Sequence, residues 1–135
     1  MKRSSNIQVH RALRDSFKNK IPDGREIAAR AVRKSLGNHR KNKKWIKRNF
    51  SRLVEAVQIS AYKEYLREEQ NAGSKALREI FSRMAGKNAS VGKIIDLLAK
   101  HFYALDRFFL GLTQGRRPRA GKVFEHLLKE LIIIL

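Results

Sequence analysis

Residues 43–70 read KKWIKRNFSRLVEAVQISAYKEYLREEQ, and this stretch decides the fold. Trp45, Ile46, Phe50, Leu53, Val54, Val57, Ala61 and Tyr65 keep the three- and four-residue spacing of a single apolar stripe, the pattern of a long helix packed along one side. Lys43, Lys44, Lys47, Arg48 and Arg52 stand off that stripe at its start, and Glu64, Glu68 and Glu69 stand at its end. A helix dipole favours anions at the N-terminus and cations at the C-terminus, so this order opposes the dipole at both ends. Dipole stabilisation therefore does not explain the charge, and binding of an anionic ligand explains the basic end better.

The flanking segments carry the same periodicity. Val9, Leu13 and Phe17 make a stripe for a first helix over residues 5–20, which Ile21-Pro22-Asp23-Gly24 breaks. Asp23 and Glu26 have capping-box spacing, Ile27, Ala28, Ala31, Val32 and Leu36 form a buried face, and Gly37 stops the helix, giving 24–36. The basic loop Asn38-His39-Arg40-Lys41-Asn42 leads into the long helix. Asn71-Ala72-Gly73 reads as its end, with Ser74 capping a shorter helix to Met84 that directs Leu77, Ile80 and Phe81 inward, and Gly86-Lys87-Asn88 closing it. Ser90 then caps another helix, whose Val91, Ile94, Ile95, Leu98, Phe102, Leu105, Phe109 and Leu112 make a wide apolar stripe enlarged by Tyr103 and Phe108. At helical spacing beside Leu and Ile, these aromatics are assigned to packing rather than to base stacking. A basic turn at 114–119, containing Pro118, precedes a last helix with Val123, Phe124, Leu127, Leu128 and Leu131 inward. The chain then stops on Ile132-Ile133-Ile134-Leu135, an uncovered apolar end that leads us to expect a polypeptide continuing beyond it.

Composition bounds the function. Thirty-one Lys and Arg face twelve Asp and Glu, a formal charge of +19 on 135 residues. Such an excess repels itself unless a polyanion neutralises it. Residues 1–52 hold seventeen basic and three acidic side chains, a net +14, and residues 53–135 hold fourteen and nine, a net +5. The N-terminal part is therefore the electrostatic footprint of a nucleic-acid partner. There is no cysteine, which excludes disulfides, thiolate metal sites and a nucleophilic thiol, and the four histidines lack close metal-ligand spacing. MKRSSNIQVHRALRD has no apolar core of a secretory signal, and no apolar run reaches membrane-spanning length, so no membrane partner is expected and an intracellular, cytoplasmic location is. No phosphate-binding loop follows from Gly86-Lys87 or Gly121-Lys122, which removes a kinase or NTPase reading.

One segment carries a sharper signal. Gly115-Arg116-Arg117-Pro118-Arg119-Ala120-Gly121-Lys122-Val123-Phe124-Glu125 resembles the start of the catalytic core of type II restriction endonucleases of the EcoRII and PspGI kind, in the PD-(D/E)xK nuclease superfamily. There a basic, glycine-containing turn of the form R-A-G-K-x-F-E opens the first core helix after an all-helical region. The match covers about a dozen residues. It implies that Glu125 lies beside a site where carboxylates and a lysine hold Mg²⁺ and activate water against a DNA phosphodiester, and that the complete enzyme works as a homodimer on double-stranded DNA. This chain carries neither a following Pro-Asp pair nor a downstream acidic-x-Lys triplet, so Mg²⁺ and hydrolysis are implied for a complete enzyme only.

The reading is thus an all-α bundle of five to six helices around one long central helix, ending at the first helix of a missing α/β nuclease core. Residues 1–113 form its basic DNA-binding region, and 114–135 the basic turn and first core helix. Arg40, Lys41, Lys43, Lys44, Lys47, Arg48, Arg116, Arg117, Arg119 and Lys122 are the candidate phosphate contacts, a basic turn at a helix N-terminus adding backbone N–H donors. Glu125 is the candidate catalytic residue of an incomplete site. The competing readings are a freestanding basic helical protein without enzyme activity that binds DNA or RNA, and an RNA-associated structural protein.

Overall fold

A computed structural model describes residues 2–134, the side chains from Ser5 to Ile133, and it is all-helical among them. The helices are α1 (Lys2–Lys20), α2 (Gly24–Leu36), α3 (Lys43–Arg48), α4 (Phe50–Ala85), α5 (Val91–Lys100) and α6 (Phe102–Ile134), with one 3-10 turn at Gly37–His39. The all-α expectation with a long helix at its heart holds. Met1 and Leu135 lie outside the described residues.

Where local signals are strong, the elements begin and end as the sequence dictates. Asp23 caps α2, Gly37 ends it at a positive φ of 51°, and Ile27, Ala28, Ala31, Val32 and Leu36 are buried. Gly86, at φ 78°, follows the last residue of α4, and the Ser90 hydroxyl accepts from the backbone N–H of Lys93 to start α5.

Three expectations are corrected. The long helix does not run from 43 to 70. It breaks at Asn49, which caps the C-terminus of α3 with both its backbone N–H and its side-chain amide donating to the Trp45 carbonyl at 3.0 Å, and resumes at Phe50. It then continues through Asn71-Ala72-Gly73 to Ala85, so Ser74 caps nothing. Ala72, Gly73 and Ala76 are buried, and a Cβ at Gly73 would stand 3.6 Å from Leu112 Cδ1. These small residues serve side-chain packing rather than a chain reversal.

Secondly, the basic turn at 114–119 is absent: α6 is helical from Phe102 to Ile134 with Pro118 inside it. Proline leaves out one backbone hydrogen bond, at a cost of about 3 kcal/mol. Burial of Val123, Leu127 and Leu131 on one face of α6 offsets it. Phe124 and Leu128, expected inward, are exposed, as are Ile132 and Ile133.

Thirdly, the stripe from 91 to 112 is mostly not core. His101 interrupts the helix, and the buried residues beyond it are Ala104 and Phe108, with Leu105 and Leu112 partly buried. Val91, Ile94, Ile95, Leu98, Phe102, Tyr103 and Phe109 are exposed. The change of phase is fixed from α1, where the buried Asn6 side chain accepts the Ala104 N–H at 3.1 Å, as a cap supplied from another helix.

By packing, the chain divides into two units. One comprises Met1–Ile21 and Glu69–Gly115, the other Pro22–Glu68 and Arg116–Leu135. The first is built on Val9, Leu13 and Phe17 against Ala72, Ala76, Ile80 and Phe108, with the Phe17 and Phe108 rings edge to face at 6.2 Å. In the second, α2, α3, the first part of α4 and the end of α6 bury Ile27, Val32, Leu36, Ile46, Val57, Tyr65, Leu127 and Leu131.

Candidate nucleic-acid interface

The second unit sorts its charges. Arg30 of α2 bridges Glu26 at 2.5 Å and Glu68 of α4 at 2.9 Å, while Glu64 pairs with Arg67 at 2.6 Å and with Lys34 at 3.8 Å. Glu26 first, and then Glu68, hold the Arg30 guanidinium charged beyond even its ordinary range, against the opposing effect of burial. Glu64 and Glu68, which read as a helix end, therefore lie in mid-helix, where they join α2 to α4 through Lys34 and Arg30.

The outer cations have no such partners. No acidic residue occurs between Glu26 and Glu55. Arg33, Arg40, Lys41, Lys43, Lys44, Lys47, Arg48 and Arg52 are all exposed, and none enters an ion pair among the described residues. Each leaves a full charge toward solvent, the condition for contact with a phosphate backbone.

The loop that presents them is braced. Asn42 accepts the Trp45 N–H at 3.0 Å to start α3, and the His39 and Trp45 rings stack at 3.8 Å with 4° between their planes. Trp45 is half-buried with one face taken by His39, so it acts as a brace for residues 39–45. Beside it, Arg33, Arg40 and Lys41 line a hollow of about 600 Å³ floored by Val32 and Leu36, with Glu130 at its edge. Three cations against the one carboxylate of Glu130 leave the lining of this hollow net positive, which suits an anion. Arg33 escapes a sequence reading because nothing in its spacing separates it from Lys34, which pairs with Glu64.

The second predicted group sits on α6, as part of a continuous helix. Arg119 is half-buried and its Nε–H donates to the buried Tyr65 hydroxyl at 2.6 Å. Arg116 is also half-buried, whereas Arg117 and Lys122 are exposed. The backbone N–H donors expected of a turn here are occupied in helix, so only the outward side chains can offer contacts. The two groups sit on different helices: α6 packs beside Gly24 at the start of α2 through Val123 and His126, and Glu130 of α6 lines the hollow with Ala29, Val32 and Arg33 of α2.

Glu125 is exposed on the side of α6 away from Val123, with Lys122 and Lys129 one turn to either side, and makes no ion pair among the described residues. No group of three His, Asp or Glu side chains able to hold a metal ion occurs among those residues. Mg²⁺ takes near-octahedral oxygen coordination with carboxylate anchors, and a single carboxylate between two lysines does not supply it. The residues present thus do not fit the ion that the resemblance implies, and no chemical step is derived through it. No helix is long and apolar enough to cross a membrane among the described residues. Neither a protein-family model, nor a curated protein, nor a solved structure matches this chain.

Proposed function

We propose that this chain binds duplex DNA through its backbone phosphates, using the cations of α2, α3 and the start of α4. The observation that carries the reading is the set of exposed cations Arg33, Arg40, Lys41, Lys43, Lys44, Lys47, Arg48 and Arg52, which enter no ion pair among the described residues, while Glu26, Glu64 and Glu68 of the same unit pair with Arg30, Lys34 and Arg67. Arg117 and Lys122, exposed on α6, add a second set of phosphate contacts. Contacts of this kind fix position without reading sequence, so binding is insensitive to base order.

The resemblance at Arg119–Glu125 extends the proposal. In a polypeptide that continues into strands bearing the remaining carboxylates and lysine, this region is the DNA-holding helical part of a type II restriction endonuclease, and Glu125 borders its Mg²⁺-dependent site. A second reading, a helical binding module for DNA or RNA without enzyme activity, is favoured by the continuous helix through Pro118, where the resembling family has a turn.

The test is fluorescence anisotropy with duplex DNA over a range of salt. With roughly six phosphates neutralised, log K falls against log salt with a slope near −5, at about 0.9 per phosphate. Replacing Lys43, Lys44, Lys47 and Arg48 with Gln weakens binding to every duplex alike and reduces the slope by about 3 to 4. Affinity that ignores salt, or a loss confined to one sequence, refutes phosphate binding. Tighter binding to single-stranded or duplex RNA selects the second reading.

A further inference from the structure

The hollow beside the basic loop is lined by four charged side chains, none of which pairs with another. Arg33 of α2, Arg40 and Lys41 of the loop and Glu130 of α6 surround it, all within one packing unit. Glu130 is half-buried, yet it enters no ion pair among the described residues, and neither does any of the three cations. Both signs of charge are therefore open to a molecule placed between them. Ala29, Val32 and Leu36 of α2 form an apolar floor.

These features restrict the ligand. At about 600 Å³ the hollow falls within the roughly 300 to 1,000 Å³ of sites that hold whole small molecules, and it is far larger than a phosphate group. Three cations and one carboxylate leave its lining at net +2. A phosphomonoester carries about −1.5 to −2 near pH 7 and matches that charge, whereas an internal backbone diester brings only about −1. An ionised carboxylate only accepts hydrogen bonds, and it repels an anion that offers it no donor. The ligand that suits Glu130 thus also carries an N–H or O–H group. A nucleotide with a monoester phosphate has every part: the phosphate for Arg33, Arg40 and Lys41, the flat face of the base for the floor, and an N–H of the base for Glu130.

We propose that the hollow between α2, the basic loop and α6 binds a nucleoside 5′-monophosphate, as the free nucleotide or as the 5′ end of a strand. The inference rests on the reading of Arg33, Arg40 and Lys41 as phosphate contacts, and it adds the remainder of the ligand.

The experiment is isothermal titration calorimetry of the whole chain with adenosine 5′-monophosphate (AMP), beside adenosine, ribose 5-phosphate and inorganic phosphate, with circular dichroism as the check on folding. One AMP binds per chain, and each fragment binds about tenfold more weakly or worse, because it lacks one of the parts. Ribose 5-phosphate carries the same charge as AMP and so controls for general attraction to a chain of charge +19. Arg40→Gln weakens AMP and inorganic phosphate alike. Glu130→Ala separates the two, weakening AMP several-fold through the lost acceptor while inorganic phosphate tightens through the lost repulsion. A 5′-phosphorylated tetranucleotide that displaces AMP better than its 5′-hydroxyl counterpart assigns the hollow to a strand end, and one that fails to displace AMP assigns it to the free nucleotide. Failure of AMP to saturate the chain by about 5 mM, ribose 5-phosphate binding as tightly as AMP, or AMP tightening in Glu130→Ala overturns the proposal. The salt titration with duplex DNA on the same preparation distinguishes that failure from a failure of the phosphate reading itself.

Discussion

Replacing Gly73 with alanine tests whether α4 is one helix. In a helix interior glycine is about 0.5 to 1 kcal/mol less favourable than alanine, because its backbone loses more freedom on folding. The new Cβ would meet Leu112 Cδ1 at 3.6 Å, an ordinary van der Waals contact with the end of a flexible side chain, so no packing strain opposes the gain. Gly73→Ala should therefore raise stability by about 1 kcal/mol and the melting temperature by about 3 to 5 °C. Gly86 supplies the control. It sits at φ 78° with open space around it, so Gly86→Ala meets only the left-handed backbone penalty and should lose about 1 kcal/mol. The assay is urea unfolding followed by circular dichroism, with the denaturant dependence unchanged so that midpoints report stability. A lower midpoint for Gly73→Ala would refute a continuous helix and restore a chain reversal at Asn71-Ala72-Gly73.

Ile46→Ala should cost about 2 to 5 kcal/mol, as expected for a fully buried aliphatic, whereas Trp45→Ala, which removes a half-buried ring and its stack on His39, should lose less than the ~3 to 5 kcal/mol of a buried aromatic; urea midpoints rank the two. His101 is held below the usual imidazole range, by burial first and then by Lys100, and its Nδ1 has no hydrogen-bond partner. A depressed folded value means that stability is complete above the unfolded value near 6.5 and falls as pH drops toward the folded one. His10 shifts the same way, through burial and then Arg14 and Arg107, so the diagnostic is a shallower acid slope in His101→Leu than in the wild type. Equal slopes would remove His101 from the titration. Glu125→Gln should leave unfolding unchanged and tighten DNA binding slightly by removing a carboxylate near phosphates, while abolishing Mg²⁺-dependent cleavage in any longer protein with the complete motif; weaker binding would place Glu125 outside the interface.

What the sequence made legible was set by local chemistry. Asp23, Gly37, Gly86 and Ser90 act on the few residues beside them, and the ends of α2, α4 and the start of α5 follow directly. Gly73 and Pro118 have equally strong local preferences that distant partners override: Leu112 for one, and the buried face of Val123, Leu127 and Leu131 for the other. Periodicity shows that α5 has an apolar face, but it does not say what lies against that face, and none of its residues is buried by the described part of the chain. At the candidate interface, the excess of cations was visible in composition. Which of them are neutralised was not, because Arg30 meets Glu68 thirty-eight residues away. Nor does spacing reveal the His39–Trp45 stack, which turns a residue read as core into a brace for a basic loop.

The two packing units have a consequence for how the chain folds. Each is assembled from two separated stretches, and the stretches interleave: residues 1–21 pack with 69–115, and 22–68 with 116–135. During synthesis α1 emerges first yet has no core to join until α4 and α6 arrive, and α2 waits longer for Val123, Leu127 and Leu131. Neither unit can close early on the ribosome, and loop-closure entropy must be met before the non-local contacts form. Closure of both units thus depends on contacts between stretches far apart in the sequence, although the helices themselves are held by local hydrogen bonds.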